Sequence, residues 1–176
     1  QGRLLVSAGG KVLVLTNGRK VVRDETEEHE AIVQWEYDGV WLDCGGHTDE
    51  GSLLRAAKKK ALEALEAWDK GGDVNVFYVN GRQAWLDKAT RVGLVNSATI
   101  CKEAGDKKMS LWLGDKNYEV SCDEMLSMLR QVEMYAMGCY NTTARHRAAI
   151  EAMTDVDVAL GYDYKAGYPE KVSIEL

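Results

Sequence analysis

The sequence has one proline, Pro169, and three histidines among its 176 residues. A single proline leaves no proline-rich linker to part the chain, and three histidines without evident local partners leave little for general acid–base work. Basic residues are the minority: 22 Lys and Arg against 28 Asp and Glu give a formal charge of −6. A general nucleic-acid binder or a basic membrane-surface patch needs the opposite balance. No apolar run approaches the roughly 18–20 residues of a membrane span, and no signal-peptide pattern opens the chain. Gly-x-Gly-x-x-Gly, Gly-x4-Gly-Lys-Ser/Thr, His-Glu-x-x-His, an EF-hand loop and Gly-x-Ser-x-Gly are also missing. The usual phosphate cradles, zinc-protease helix, calcium loop and nucleophile elbow therefore have no carrier.

What is present is the balance of a soluble globular protein, with 45% apolar and 28% charged residues. The length suits one ordinary domain, or one with a small extension. Cys44, Cys101, Cys122 and Cys139 lie far apart. A chain of this size folds on its own core, so reduced thiols are expected rather than a disulfide framework. Cys44-Gly45-Gly46-His47 has a metal-like spacing but lacks the second pair of a structural zinc site, and reads as a glycine-rich turn. Cys139 and His146 stand two helical turns apart, about 10 Å, too far for a nucleophile–base hydrogen bond. Neither catalytic residues nor a metal or cofactor are expected.

Strand periodicity fills the first forty-odd residues. Leu4 to Val6 and Lys11 to Thr16 are separated by Ala8-Gly9-Gly10, and Asn17-Gly18 predicts a hairpin turn before Arg19 to Arg23. A second hairpin is predicted from Ala31 to Asp43 around Asp38-Gly39, with Val33, Trp35 and Tyr37 sharing a face expected to be buried. The acidic stretch Asp24 to Glu30 between them reads as a solvated loop. A first helix then starts at Thr48 or Asp49, with Leu53, Leu54, Ala57, Ala61, Leu62, Leu65 and Trp68 as its apolar stripe. Lys58 to Lys60 reads as part of its solvated face.

Asn80-Gly81 predicts another hairpin turn, and Asp87 an N-cap for a helix running to about Ala104. That helix carries Val92, Val95, Ala98, Thr99 and Lys102 along one line. A fourth hairpin turns at Gly114-Asp115. Ser121 and Glu124 have the spacing of a capping box, opening a long helix whose line runs Met125, Leu129, Val132, Ala136, Cys139, Thr143, His146, Ile150, Met153. Gly138 and Asn141 sit in its middle. Asn141 disfavours helix interiors, so the helix either breaks there or holds with Asn141 bonded to the tail; the continuous form is the preferred reading. Asp155 and Asp157 suit a short helix start. The tyrosine-rich tail is expected to fold over the core, ending in an edge strand at Val172 to Ile174. Its Tyr162, Tyr164 and Tyr168 are the candidate contact residues.

From about Leu53 onward the chain resembles a domain of unknown function found in phage and prophage proteins of gut Bacteroidales. The blocks that carry the resemblance begin with Ala67-Trp68-Asp69, Asp73 to Gly81, Trp85-Leu86-Asp87-Lys88 through Leu94, and Leu111-Trp112-Leu113. Glu133 to Ala136, Cys139-Tyr140-Asn141-Thr142 through His146, and Tyr162 to Pro169 complete them. Trp85, Trp112 and Tyr135 are expected to meet where two hairpins join the long helix, and Asp87 to pair with Arg91.

The sequence thus predicts an α+β fold, several β-hairpins in a mostly antiparallel sheet with about three main helices, the longest near 122–153. Residues 1–50 form a β-hairpin region that could serve as an attachment module, and residues 51–176 the α+β phage-type domain. The resemblance implies a non-catalytic phage structural or interaction protein, tail-associated, in the virion or the bacterial host cytoplasm. It would contact other phage structural proteins or itself, with no nucleic acid and no membrane insertion. Alternatives are a tail-fibre assembly chaperone, and a glycan-binding module or small hydrolase.

Overall fold

A computed structural model describes residues 4–23 and 32–176; the acidic stretch Asp24 to Glu30 lies outside the described residues. The fold is α+β, and packing divides the chain into two units, residues 1–64 with 147–164 and residues 65–146 with 165–176. The described strands form three separate sheets instead of one.

In the first unit, β1 (Leu4–Ala8), β2 (Lys11–Arg23) and β3 (Ile32–Asp43) make an antiparallel sheet in that order. Gly9 and Gly10, both at positive φ, close the first hairpin. The turns expected at Asn17-Gly18 and Asp38-Gly39 do not form. A type I′ turn needs positive φ at both central residues, and of the first pair only Asn17 takes it, at 51°. Asn17 and Gly18 instead face the single residue Tyr37, because pairing jumps from Thr16 opposite Asp38 to Arg19 opposite Glu36. That is a β-bulge, the insertion of one extra residue into one strand. The Asn17 amide donates to Asp38 Oδ2 at 3.0 Å, and Arg19 donates to Glu36 at 3.0 Å. Gly39 stays extended under the side chain of Leu13.

One face of this sheet has a cover. Val12, Val14 and Leu42 are buried against Leu53, Ala56 and Ala57 of α1 (Glu50–Asp69) and Val156 and Ala159 of α4 (Val156–Leu160). The first fifty residues therefore share a core with later elements. Asp49 caps α1 by accepting from the Ser52 amide at 2.9 Å, and Asp155 caps α4 by accepting from the amides of Asp157 and Val158. Lys58, expected in a solvated face, reaches the carbonyls of Glu151 and Met153 at the end of α3 (Cys122–Ala152). A cation there complements the unsatisfied carbonyls of a helix C-terminus.

In the second unit, β4 (Phe77–Val79) and β5 (Arg82–Ala84) are joined by Asn80 and Gly81, at φ of 47° and 73°. Here the Asn-Gly pair does make the turn. The tail strand β8 (Ser173–Ile174) adds to β4 in parallel. Asp87 caps α2 (Lys88–Glu103), accepting from the Thr90 amide at 2.8 Å. The buried line of α2 is Arg91 and Ala98 with Leu94 half-buried, and Val92 and Val95 are exposed. Of the expected residues Ala98 is buried, whereas Val92, Val95, Thr99 and Lys102 face outward, the buried side running through Arg91, which polar partners hold inward.

The ribbon β6 (Lys108–Leu113) and β7 (Lys116–Ser121) buries Leu111, Tyr118 and Val120 against Met125, Met128, Leu129 and Val132 of α3. Ser121 and Glu124 form the reciprocal capping box: the Glu124 amide donates to Ser121 Oγ at 3.1 Å and the Ser121 amide to Glu124 Oε2 at 2.7 Å. The long helix is continuous through Asn141, which is exposed. The tail bond expected of Asn141 is made by its neighbours, Thr142 donating to Gly167 O at 3.3 Å and His146 pairing with Ala166 O at 2.8 Å. Gly138 is accounted for by Pro169: a Cβ at Gly138 would stand 3.1 Å from the proline ring.

Two outcomes follow. A Cβ on Gly18 would lie 2.6 Å from the edge of the exposed Tyr37 ring, so Gly18→Ala is expected to push that ring aside and destabilise the first unit by about 1 kcal/mol, the low end of an overpacking cost, measured by urea unfolding. The exposed capping carboxylates are held below the ordinary range: Asp49 chiefly by the Ser52 hydroxyl, Asp87 by the Thr90 amide and Glu124 by the Ser121 amide. A depressed carboxylate contributes stability that is present above its unfolded value of about 4 and lost as pH falls through the lowered folded value. Melting temperature is expected to fall below about pH 4, and to fall less steeply in Glu124→Gln.

Candidate functional site

Two places gather exposed or polar side chains. The first is the uncovered face of the β1–β2–β3 sheet. Alternation puts Leu4 and Val6 of β1, Leu13 and Leu15 of β2, and Trp41 of β3 together, since Leu4 pairs with Leu15, Val6 with Leu13 and Leu13 with Trp41. Past the bulge the parity of β2 reverses, so that Val22, opposite Val33, joins the face of Val33, Trp35 and Tyr37. Without the extra residue Val22 would point to the other side. These aromatic residues, expected to be buried, are exposed: Trp35 at 59%, Tyr37 at 37% and Trp41 at 45%. The rings of Trp35 and Tyr37 stack at 6.5 Å. The burial expected of them fails because the helices cover the opposite face.

The outer face is apolar along its length. Leu4, Val6, Val22 and Val33 are each about half exposed. At roughly 150–250 Å² for each large residue, the exposed surface of these residues is on the order of 600–700 Å², near the upper edge of the roughly 300–600 Å² that the largest patch on a typical monomer covers. The signal in the sequence was the unbroken run Val12-Leu13-Val14-Leu15, which gives both strand faces apolar side chains. Periodicity alone does not say which face is covered.

The second place is a cleft of about 270 Å³ in the second unit, lined by Asp69, Asn75, Trp85, Arg91, Cys139 and Tyr140 among others. Arg91 donates to Glu133 at 2.6 Å and to Leu86 O at 2.6 Å, and lies over the Trp85 ring at 5.5 Å. The expected Asp87–Arg91 pair is replaced by these contacts, because Asp87 accepts from both the amide and the hydroxyl of Thr90. Thr143 gives its single hydroxyl proton to Asp69 at 2.6 Å, so Tyr168 is the donor in its 2.8 Å bond to Thr143. Tyr135 donates to Val74 O at 2.8 Å. Burial pushes the Tyr135 and Tyr168 hydroxyls and the Cys139 thiol up from their ordinary values. Burial thus favours the protonated form of all three.

The candidate contact residues divide. Tyr168 is half-buried in the second unit, edge-on to Trp68 at 6.4 Å and stacked on His146 at 5.9 Å. Tyr162 and Tyr164 are half-buried in the first unit. Trp85 packs with Phe77 and Tyr135, but Trp112, expected beside them, is 64% exposed on the outer side of its ribbon. Cys44 Sγ donates to His47 O at 3.1 Å across the glycine turn, and no three potential metal-ligating side chains cluster among the described residues. No described helix is long and apolar enough to cross a membrane. Comparisons with protein families, with curated proteins and with solved structures find no match.

Removing the Trp85 ring takes packing from Phe77, Tyr135 and Arg91 together. Trp85→Ala is expected to cost about 3 kcal/mol, measured by chemical unfolding; an unchanged midpoint would show the ring to be dispensable.

Proposed function

We propose that the protein is a non-catalytic interaction module that works through protein–protein contacts, as a tail-associated component of a phage or prophage particle. The single observation that carries the contact reading is the open apolar face of the β1–β2–β3 sheet. Surface of this size and composition, left in water, is stabilised by docking against another apolar surface. The engaged polar groups of the cleft support the non-catalytic part. The phage setting rests on the resemblance of residues 53–176, whose blocks Trp68-Asp69, Trp85 to Arg91, Tyr135 and Cys139 to Thr143 build the cleft and its floor.

The stacked Trp35 and Tyr37 favour one other reading, a glycan platform. Sugars stack on aromatic faces but also carry hydroxyls that need partners; beside Trp35 the one charged group among the described residues is Lys20, and Leu4, Val6, Val22 and Val33 are aliphatic. The protein-contact reading is therefore preferred.

Mass spectrometry of purified particles, from cells carrying this gene, tests the role. The chain is expected in the particles. Its recovery from lysate alone would indicate an assembly chaperone instead, and saturable binding on a glycan array would indicate the platform.

A further inference from the structure

We propose that the outer face of the β1–β2–β3 sheet is the interface between two copies of this chain, packed sheet on sheet; this names the partner for the protein-contact reading above and rests on it. Four observations point to a second copy.

The area is right. The open surface of about 600–700 Å² approaches the roughly 800 Å² that each partner buries in a standard stable interface. The shape is right as well. A twisted three-stranded sheet with one face on helices and the other apolar is half of a sandwich, and two such faces pack about 10 Å apart with their side chains interdigitated.

The charge pattern admits self-pairing. A two-fold contact sets a patch against its own image, so charge in its middle would meet like charge. On this face the charges stand toward the ends, Lys11 and Asp43 at one and Lys20 opposite Trp35 toward the other. Leu13, Leu15, Tyr37 and Trp41 between them are uncharged. Most of the net charge of −6 comes from the five acidic residues of the Asp24 to Glu30 segment that joins β2 to β3 in the sequence.

The ribbon beyond the bulge needs a second layer. Among the described residues, Arg19 to Arg23 of β2 pair with β3 alone, the described pairing of β1 starting at Leu4 opposite Leu15. Val22, Val33, Trp35 and Tyr37 are exposed there on one side, and Gln34 and Glu36 on the other. An isolated two-stranded ribbon is marginally stable in water. Docking its apolar side on a second sheet supplies what the described chain does not.

Sedimentation equilibrium at about 1–100 µM, a range that brackets ordinary dimer affinities, tests the proposal on the whole chain. The expected mass is twice 19.5 kDa. The dimer is expected to persist at about 0.5 M salt, where screening leaves apolar association intact. Trp35→Glu and Trp41→Glu, at exposed positions on the face, are expected to weaken it at least 100-fold. Gln34→Glu, on the opposite side of the same ribbon, is expected to leave it unchanged. Circular dichroism melts establish that each variant is folded.

A wild-type chain that stays monomeric throughout overturns the proposal, as does a dimer indifferent to both tryptophan substitutions. A monomer that binds a purified particle protein, and loses that binding in Trp35→Glu, overturns the second copy but keeps the protein-contact reading. A monomer that binds glycans through Trp35 overturns both.

Discussion

Among the described residues, the β1–β2–β3 sheet has apolar side chains on both faces and a helix layer on only one of them. Val12, Val14 and Leu42 are closed off by α1 and α4, whereas Leu4, Val6, Trp35 and Trp41 face outward. Hydrophobic burial acts on area regardless of which chain supplies the cover, and the proposed association rests on that side. The bulge at Asn17 and Gly18 extends that side. By reversing the parity of β2 it keeps Val22 in line with Val33 and Trp35, and it leaves Arg19 facing Glu36 on the other side.

The second unit handles its polar groups in the opposite manner. Its cleft contains a guanidinium, carboxylates, a thiol and hydroxyls, and the hydrogen bonds of Arg91, Thr143 and Tyr135 hold separate elements together. Arg91 ties the start of α2 to α3, Thr143 joins the end of α1 to the tail through Asp69 and Tyr168, and Tyr135 fixes the turn at Val74. Burial raises the Tyr135 and Tyr168 hydroxyls and the Cys139 thiol, whereas the Thr90 amide lowers the Asp87 carboxyl.

Local signals were legible where the chemistry is local. The capping box of Ser121 and Glu124, the N-caps at Asp87 and Asp155, the apolar stripe of α1 and the long line of α3 all involve residues a turn or so apart, and each appears as expected. The two Asn-Gly dipeptides separate what is local from what is not. Asn80 and Gly81 turn the chain, whereas Asn17 and Gly18 bulge inside a strand, because the Tyr37 ring lies over Gly18 and Asp38 receives the Asn17 amide. A dipeptide holds the permission for positive φ; the strand paired against it decides whether that permission becomes a turn.

By itself, the order of residues determined the α+β class, the helices with their caps, and an alternation that made both faces of the first sheet apolar. Tertiary structure alone decided which face the helices cover, that Arg91 turns inward while Val92 and Val95 stay outside, and that Trp35 and Trp112 are exposed. The reason is physical: period and capping are set by neighbours along the backbone, but burial depends on which distant surface arrives to exclude water, and a period of two or of 3.6 carries no record of that surface.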